Sequence, residues 1–245
     1  MFALKAPAAP GLRLLSGLAA VAFALLLFGG GAAAQPWGWI NQPANLSELK
    51  QELRRYYDSG DYARDLAAVA AAAQTYVEAR ASEVARPALV LDIDETSLSN
   101  WPEILANDFG YIPGGGCNAL PKGPCGVTAW ELSARAAAIA PTLRLFNAAR
   151  GKGVAVFFIT GRHEPERAAT ERNLRRVGYR GWARLFMQPA GSKPPSAADF
   201  KAPQRARIEA MGYTIIANMG DQPSDLAGGH AERTFLLPNP FYRIP

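Results

Sequence analysis

The chain has 245 residues, 49% of them hydrophobic and 19% charged, which excludes a disordered or fibrous protein and leaves room for one large domain with its own core. Its formal charge of +5 is modest and scattered, which argues against a nucleic-acid polymer as partner and suits small anionic substrates only loosely. The two histidines lie far in sequence from the two cysteines, which gives no zinc-like spacing.

Residues 1–34 read as an export leader rather than as fold. Lys5 and Arg13 form a basic start, "LLSGLAAVAFALLLF" is an apolar run, and Ala32 and Ala34 offer small residues for cleavage before Gln35. The rival is an uncleaved anchor, because the apolar character continues to Ala34 and a spanning helix needs about 20 residues. Three glycines and the A-x-A pattern favour cleavage. Removal of the leader leaves +3 of the +5, and it predicts a secreted or periplasmic protein with no stable membrane anchor.

Residues 35–86 are predicted to form an N-terminal helical segment packing on the core. Asn45 and Glu48 have the N-x-x-E form of a capping box, and "LSELKQELRRYY" and "DYARDLAAVAAAAQTYVEARASEVA" carry helical spacing. Strand-like runs come next at "PALVLDID", "GVAVFFIT" and "YTIIANMGD", with shorter ones at "WARLFMQ" and "RTFLLP". Between them lie helical segments, "AWELSARAAAIAPTLRLFNAAR", "PERAATERNLRRV" and "KAPQRARIEAM". Strands alternating with helices predict an α/β fold with a parallel sheet and helices on both faces. Cys117 and Cys125 share a Gly/Pro-rich loop, and in an exported chain two nearby cysteines predict a disulfide.

Polar residues gather where the strands end. Asp92 and Asp94 end the first, Thr160, Gly161 and Arg162 the second, and Gly220, Asp221 and nearby Asp225 the third. Strand carboxyl ends face the ligand crevice in an open parallel sheet, so three motifs converge on one place. A carboxylate there can act as nucleophile toward phosphorus, but it repels an anionic substrate unless positive charge intervenes. Mg²⁺ suits oxygen ligands of this kind, with Asp92 and Asp221 as candidate ligands and Asp225 in support. An EF-hand is excluded because Ser97 stands where its glycine belongs, and neither a G-x-S-x-G elbow nor a Walker A loop occurs. Glu164 follows the only Arg-His pair, so there is no R-H-G signature of histidine phosphatases.

The stretches "LDIDETSLSN", "FFITGR", "ATERNL", "FKAPQR", "GDQPSD" and "LPNPFYRIP" together resemble the haloacid dehalogenase superfamily, in its subfamily IIIB of plant and bacterial secreted acid phosphatases. The likeness runs from about Asp92 to the C-terminus. It implies a Rossmann-like parallel sheet with flanking helices over residues 87–245, and a small cap inserted between the first two motifs at about 99–130. It also implies Mg²⁺-dependent hydrolysis of small phosphomonoesters through an aspartyl-phosphate.

Carried over by residue, the resemblance makes Asp92 the nucleophile and a metal ligand. Asp94 becomes general acid and then base, its main-chain carbonyl a further metal ligand beside Asp221 and Asp225. Thr160 would hydrogen-bond a phosphoryl oxygen, and Lys201 would neutralise its charge, with Lys193 as the competing lysine. Arg162 is divided equally between substrate and a neighbouring acid. Trp101 is the best aromatic candidate for substrate contact, whereas Glu95 and Thr96 brace the turn and His163 starts a helix. The same scaffold also carries non-catalytic storage proteins, and the same intermediate serves a phosphotransferase.

Overall fold

The computed structural model describes residues 43–245; the leader expected at 1–34 lies outside them. Helices α1 (Leu46–Asp58) and α2 (Asp61–Arg80) come first. The Asn45 carboxamide oxygen caps α1, accepting the Ser47 N–H at 2.9 Å and the Glu48 N–H at 3.4 Å. Gly60, with φ at +82°, makes the left-handed turn into α2. Along α2 the positions Leu66, Ala70, Ala73 and Val77 are buried, a stripe at helical spacing.

Strand β1 (Pro87–Leu91) is buried at every position, as a central parallel strand requires. Beyond it the chain enters an inserted segment bounded by a short antiparallel ribbon, β2 (Leu98–Ser99) with β3 (Ala137–Ala138). Helices α3 (Trp101–Ala106) and α4 (Val127–Ser133) lie within that insertion, which therefore runs past residue 130. Cys117 and Cys125 are joined as a disulfide. Asn107 grips this loop from α3's C-terminus, donating to the Cys125 carbonyl at 2.7 Å and accepting the Cys125 N–H at 2.8 Å.

One expected helix is divided. The stretch read as continuous from residue 129 to 150 breaks after α4, where Ala134 takes the left-handed conformation at φ +55°. The chain then pairs extended with β2 before α5 (Ala140–Gly151) begins, with Pro141 in its first turn. Proline is tolerated there because the first helical N–H groups have no intrahelical partner. Pairing across the ribbon outweighs the helical propensity of the alanines.

The remaining elements alternate: β4 (Ala155–His163), α6 (Arg167–Arg176), β5 (Arg184–Gln188), α7 (Ala197–Ala210), β6 (Thr214–Gly220), α8 (Pro223–Leu226) and β7 (Arg233–Leu236). The five main strands form a parallel sheet in the order β5-β4-β1-β6-β7, so the α/β class and sheet type are as expected. One face buries Leu89, Leu91 and Phe158 with Val77 of α2, Leu145 of α5 and Leu174 of α6. The other buries Val90, Phe157 and Ile159 with Phe200 and Ile208 of α7. Among the described residues, no helix is long and apolar enough to cross a membrane.

Register sets the level at which the strands end. Leu91 pairs with Phe158 on one side and Met219 on the other, so Asp92, Thr160 and Asp221 stand at nearly one height at the carboxyl end of the sheet.

Candidate active site

Asp92 is held by the neighbouring strand β6 and by the turn that follows its own strand. Its N–H donates to the Met219 carbonyl at 3.0 Å, and its carbonyl accepts the Ser97 hydroxyl at 2.6 Å. The carboxylate lies beside Lys201, whose Nζ donates to Asp92 Oδ1 at 2.5 Å and to Asp225 Oδ1 at 2.6 Å. Lys201 comes from the first turns of α7, which the Ser196–Asp199 capping box starts. Of the two candidate lysines, the structure brings Lys201 into the cluster, whereas Lys193 sits on the preceding loop, outside it.

Asp92, Asp221 and Asp225 each offer a carboxylate oxygen, all within 4.8 Å of one another. Burial and the nearby acids Asp225, Asp221 and Asp94 push the Asp92 carboxyl well up, against the pull of Lys201. Burial followed by the Asp225 charge raises Asp221 to about 6. Lys201 is held protonated by Asp225 and Asp92 despite its burial. Three buried carboxylates against one ammonium leave negative charge uncompensated. This all-oxygen donor set fits a hard divalent cation.

Asp225 sits in the one-turn helix α8, where its Oδ2 accepts the Gln222 N–H at 2.9 Å. Gly220 leaves room for it, since a Cβ there would stand 2.5 Å from the Asp225 side chain. Arg205, fully buried, ties down the same turn by donating to the carbonyls of Asp225, Ala227 and Gly229.

Arg162 is engaged with an acid. Its Nη2 lies 2.6 Å from Asp94 Oδ1, and its Nε lies 3.1 Å from both Asp94 oxygens. Glu131 of α4 stands 3.7 Å away on the same guanidinium. Burial pushes the Asp94 carboxyl up, but the Arg162 charge and hydrogen bonds outweigh it and hold the group below its ordinary value. The Asp94 side chain remains 24% exposed against 1% for Arg162, so the acid, not the arginine, faces the crevice. Thr160 is buried, and its hydroxyl oxygen accepts the Arg162 N–H at 3.1 Å.

Trp101, expected to reach substrate, is packed instead. Its ring stacks on Tyr57 of α1 at 3.8 Å between centroids and 8° between planes, with Phe241 at 5.1 Å. The aromatic surface is spent on the N-terminal helix and the C-terminal tail. Glu95 and Thr96 do brace the turn: Glu95 accepts the Asn100 N–H at 2.6 Å and the Tyr242 hydroxyl at 2.9 Å, and Thr96 donates to Asp221 at 3.0 Å. His163 caps the helical turn before α6, with its N–H donating to Glu166 at 2.6 Å.

Several partners escape sequence reasoning. Asn239 and Gln222 each donate to Asp221 Oδ2 at 2.7 Å, and Asn100 donates to Asp94 Oδ1 at 2.8 Å. Asn239 and Tyr242 lie within the C-terminal "LPNPFYRIP", whose position against Asp221 and Glu95 depends on the folded tail.

Residues 32–245 match the family described as HAD superfamily, subfamily IIIB (acid phosphatase). The chain belongs to this family. Similar curated members include the stem 28 kDa glycoprotein of Glycine max, 35% identical over 70% of this chain and 66% of that one. A stem 31 kDa glycoprotein of the same plant is 34% identical over 68% of this chain and 56% of its own. The chain thus spans less than two thirds of these two relatives. Acid phosphatase 1 of Solanum lycopersicum is 28% identical over 85% of this chain and 82% of that one. Among solved structures, the class C acid phosphatase of Bacillus anthracis superposes with a TM-score of 0.64 at 22% identity, covering 81% of this chain and 86% of that one. That similarity carries the subfamily's fold.

Proposed function

We propose that the protein is a Mg²⁺-dependent acid phosphatase that hydrolyses small phosphomonoesters through an aspartyl-phosphate on Asp92. The observation that carries this reading is the seating of Asp92 against Lys201 and within 4.8 Å of Asp221 and Asp225 oxygens. Asp92, Asp221, Asp225 and the Asp94 main-chain carbonyl would hold the cation, which when bound offsets the charge of carboxylates and phosphate.

In the first half-reaction an Asp92 oxygen attacks phosphorus and the bond to the leaving oxygen breaks. Asp94 gives that oxygen a proton. Lys201 and the Thr160 hydroxyl stabilise the phosphoryl oxygens as charge spreads over them. Thr160 has its hydroxyl proton to offer because its oxygen already accepts the Arg162 N–H. In the second half-reaction Asp94, now a carboxylate, takes a proton from water attacking the aspartyl-phosphate. Inorganic phosphate leaves and Asp92 is restored. Arg162 opposes protonation of Asp94, so acidic solution supplies the form that the first half-reaction needs.

An exported setting, secreted or periplasmic, accords with the Cys117–Cys125 disulfide. A Bacillus anthracis fold relative, with a TM-score of 0.63 at 21% identity, was solved with tungstate bound, and a tetrahedral oxyanion accords with a phosphate ligand. A second reading is storage without catalysis, since vegetative storage protein 1 of Arabidopsis thaliana is 31% identical over 64% of this chain. Transfer of the phosphoryl group to an alcohol is the third. Turnover of nucleotides, sugar phosphates and aryl phosphates, assayed with and without Mg²⁺ and with added alcohol, separates them. Mg²⁺-dependent release of inorganic phosphate is the expected result, and no turnover of any substrate supports storage.

A further inference from the structure

Asn100 uses all of its side-chain polar atoms next to the site. Its backbone N–H donates to Glu95 Oε1 at 2.6 Å, and its Nδ2 donates to Asp94 Oδ1 at 2.8 Å and Glu95 Oε2 at 3.0 Å. Its Oδ1 accepts the Trp130 indole N–H at 2.8 Å. A carboxamide can turn by half a rotation and exchange its oxygen with its NH₂. An indole N–H is a donor only, so Trp130 meets the oxygen and thereby aims the NH₂ at Asp94 and Glu95. The reversed amide would set its oxygen against the Asp94 carboxylate and an NH₂ against an indole donor.

Asp94 is consequently held from two sides. Arg162 grips both oxygens from β4, and Asn100 adds a second hold on Oδ1 alone. Oδ1 carries three bonds, whereas Oδ2 receives only the shared Nε contact at 3.1 Å. The two oxygens are equivalent, so what these bonds fix is the plane of the carboxylate and which of its two oxygen positions is filled with donors. Oδ2 is left as the oxygen with free lone pairs on a side chain that reaches the crevice.

We propose that Trp130 and Asn100 form a positioning relay that presents Asp94 Oδ2 for proton transfer, with helix α4 of the insertion supplying the first link. The relay rests on the reading of Asp94 as the proton-transfer residue. It makes the insertion part of the catalytic apparatus: a side chain on α4 orients an acid on the sheet through one buried amide. Neither Trp130 nor Asn100 touches the reacting atoms.

The test is Trp130→Phe, which keeps a ring in the packing and removes the N–H that fixes the amide. Steady-state kinetics would be measured with an alkyl phosphate, whose leaving group needs a proton, and with 4-nitrophenyl phosphate, whose leaving group does not. The relay predicts that kcat/KM, which reads only the steps up to loss of the leaving group, falls roughly tenfold for the alkyl phosphate and stays within about twofold for the aryl ester. Asn100→Ser, too short to span Trp130 and Asp94, should show the same selectivity. The double variant should be no slower than Asn100→Ser, because two links of one chain are not additive. Equal slowing of both substrates, or losses that multiply in the double variant, overturns the relay. Thermal unfolding checks each variant's fold; if Trp130→Phe does not fold, Asn100→Ser carries the substrate comparison. Asp94→Asn run alongside separates the two readings. Selectivity in Asp94→Asn without selectivity in the relay variants overturns the relay alone, and no selectivity in Asp94→Asn removes the proton-transfer reading and the relay together.

Discussion

Lys201 Nζ lies 2.5 Å from Asp92 Oδ1 across 109 residues of sequence, with both side chains buried. The same ammonium binds Asp225 at 2.6 Å, so one positive charge bridges the carboxylate proposed to attack and one proposed to hold the metal. Lys201→Met should leave two buried carboxylates facing each other and remove the charge opposite the phosphoryl oxygens. We expect kcat to fall roughly 100-fold or more, with the fold retained by circular dichroism. Lys193→Met should stay within about twofold, as a change outside the cluster usually does. The reverse ranking of the two variants would mean that Lys193, not Lys201, meets the phosphate.

Trp101→Ala tests packing against recognition. The stack on Tyr57 and the contact with Phe241 make Trp101 the joint between α1, the insertion and the tail. Its removal should cost about 3–5 kcal/mol of stability, read by denaturant unfolding, and leave the ratio of KM values for nucleotides and alkyl phosphates unchanged. A selective rise in nucleotide KM at unaltered stability would restore Trp101 to the substrate.

Buried acids set how metal-free protein responds to pH. Burial raises Glu95 to about 8 and Asp221 to about 6, so the folded state keeps protons that the unfolded chain has already lost. Their contribution to stability is full below the ordinary carboxylate range and disappears as pH rises through those values. In EDTA, Tm should therefore decline from about pH 5 to about pH 9. Mg²⁺ should raise Tm most above about pH 6, where Asp221 no longer needs a proton displaced. A Tm in EDTA that climbs across this range would contradict the placement of these acids.

Asp94→Asn should separate substrates by leaving group. It keeps the shape and removes the transferable proton, so alkyl phosphates should lose roughly 100-fold or more in kcat/KM, which reads the first half-reaction, and aryl phosphates much less. Loss of equal size for both would move the general acid to another residue.

The strand ends are legible in the sequence because apolar runs such as "PALVL" and "AVFFI" mark buried parallel strands, and each stops at a polar group. Asp92 and Asp221 then come together through topology alone, with Thr160 at the matching level of β4. The choice between Lys193 and Lys201 needs motif context, and the structure supplies its reason: α7 starts after Ser196 and carries Lys201 into the site. The burial of Trp101 is hidden because its partners Tyr57 and Phe241 are remote in sequence and nothing local signals them. The break at Ala134 is masked by alanines that favour helix, since the ribbon pairing that interrupts them depends on Leu98 and Ser99. Asn100, Gln222 and Asn239 are ordinary amides until the fold sets them beside Asp94 and Asp221.

The direct test of the central claim is Asp92→Asn, assayed with Mg²⁺ on 4-nitrophenyl phosphate and on an alkyl phosphate beside the wild-type protein. The change preserves shape and removes the nucleophilic charge. Both activities should fall to background while the folded signature and Tm persist. Undiminished turnover of either ester by the variant would contradict an aspartyl-phosphate on Asp92.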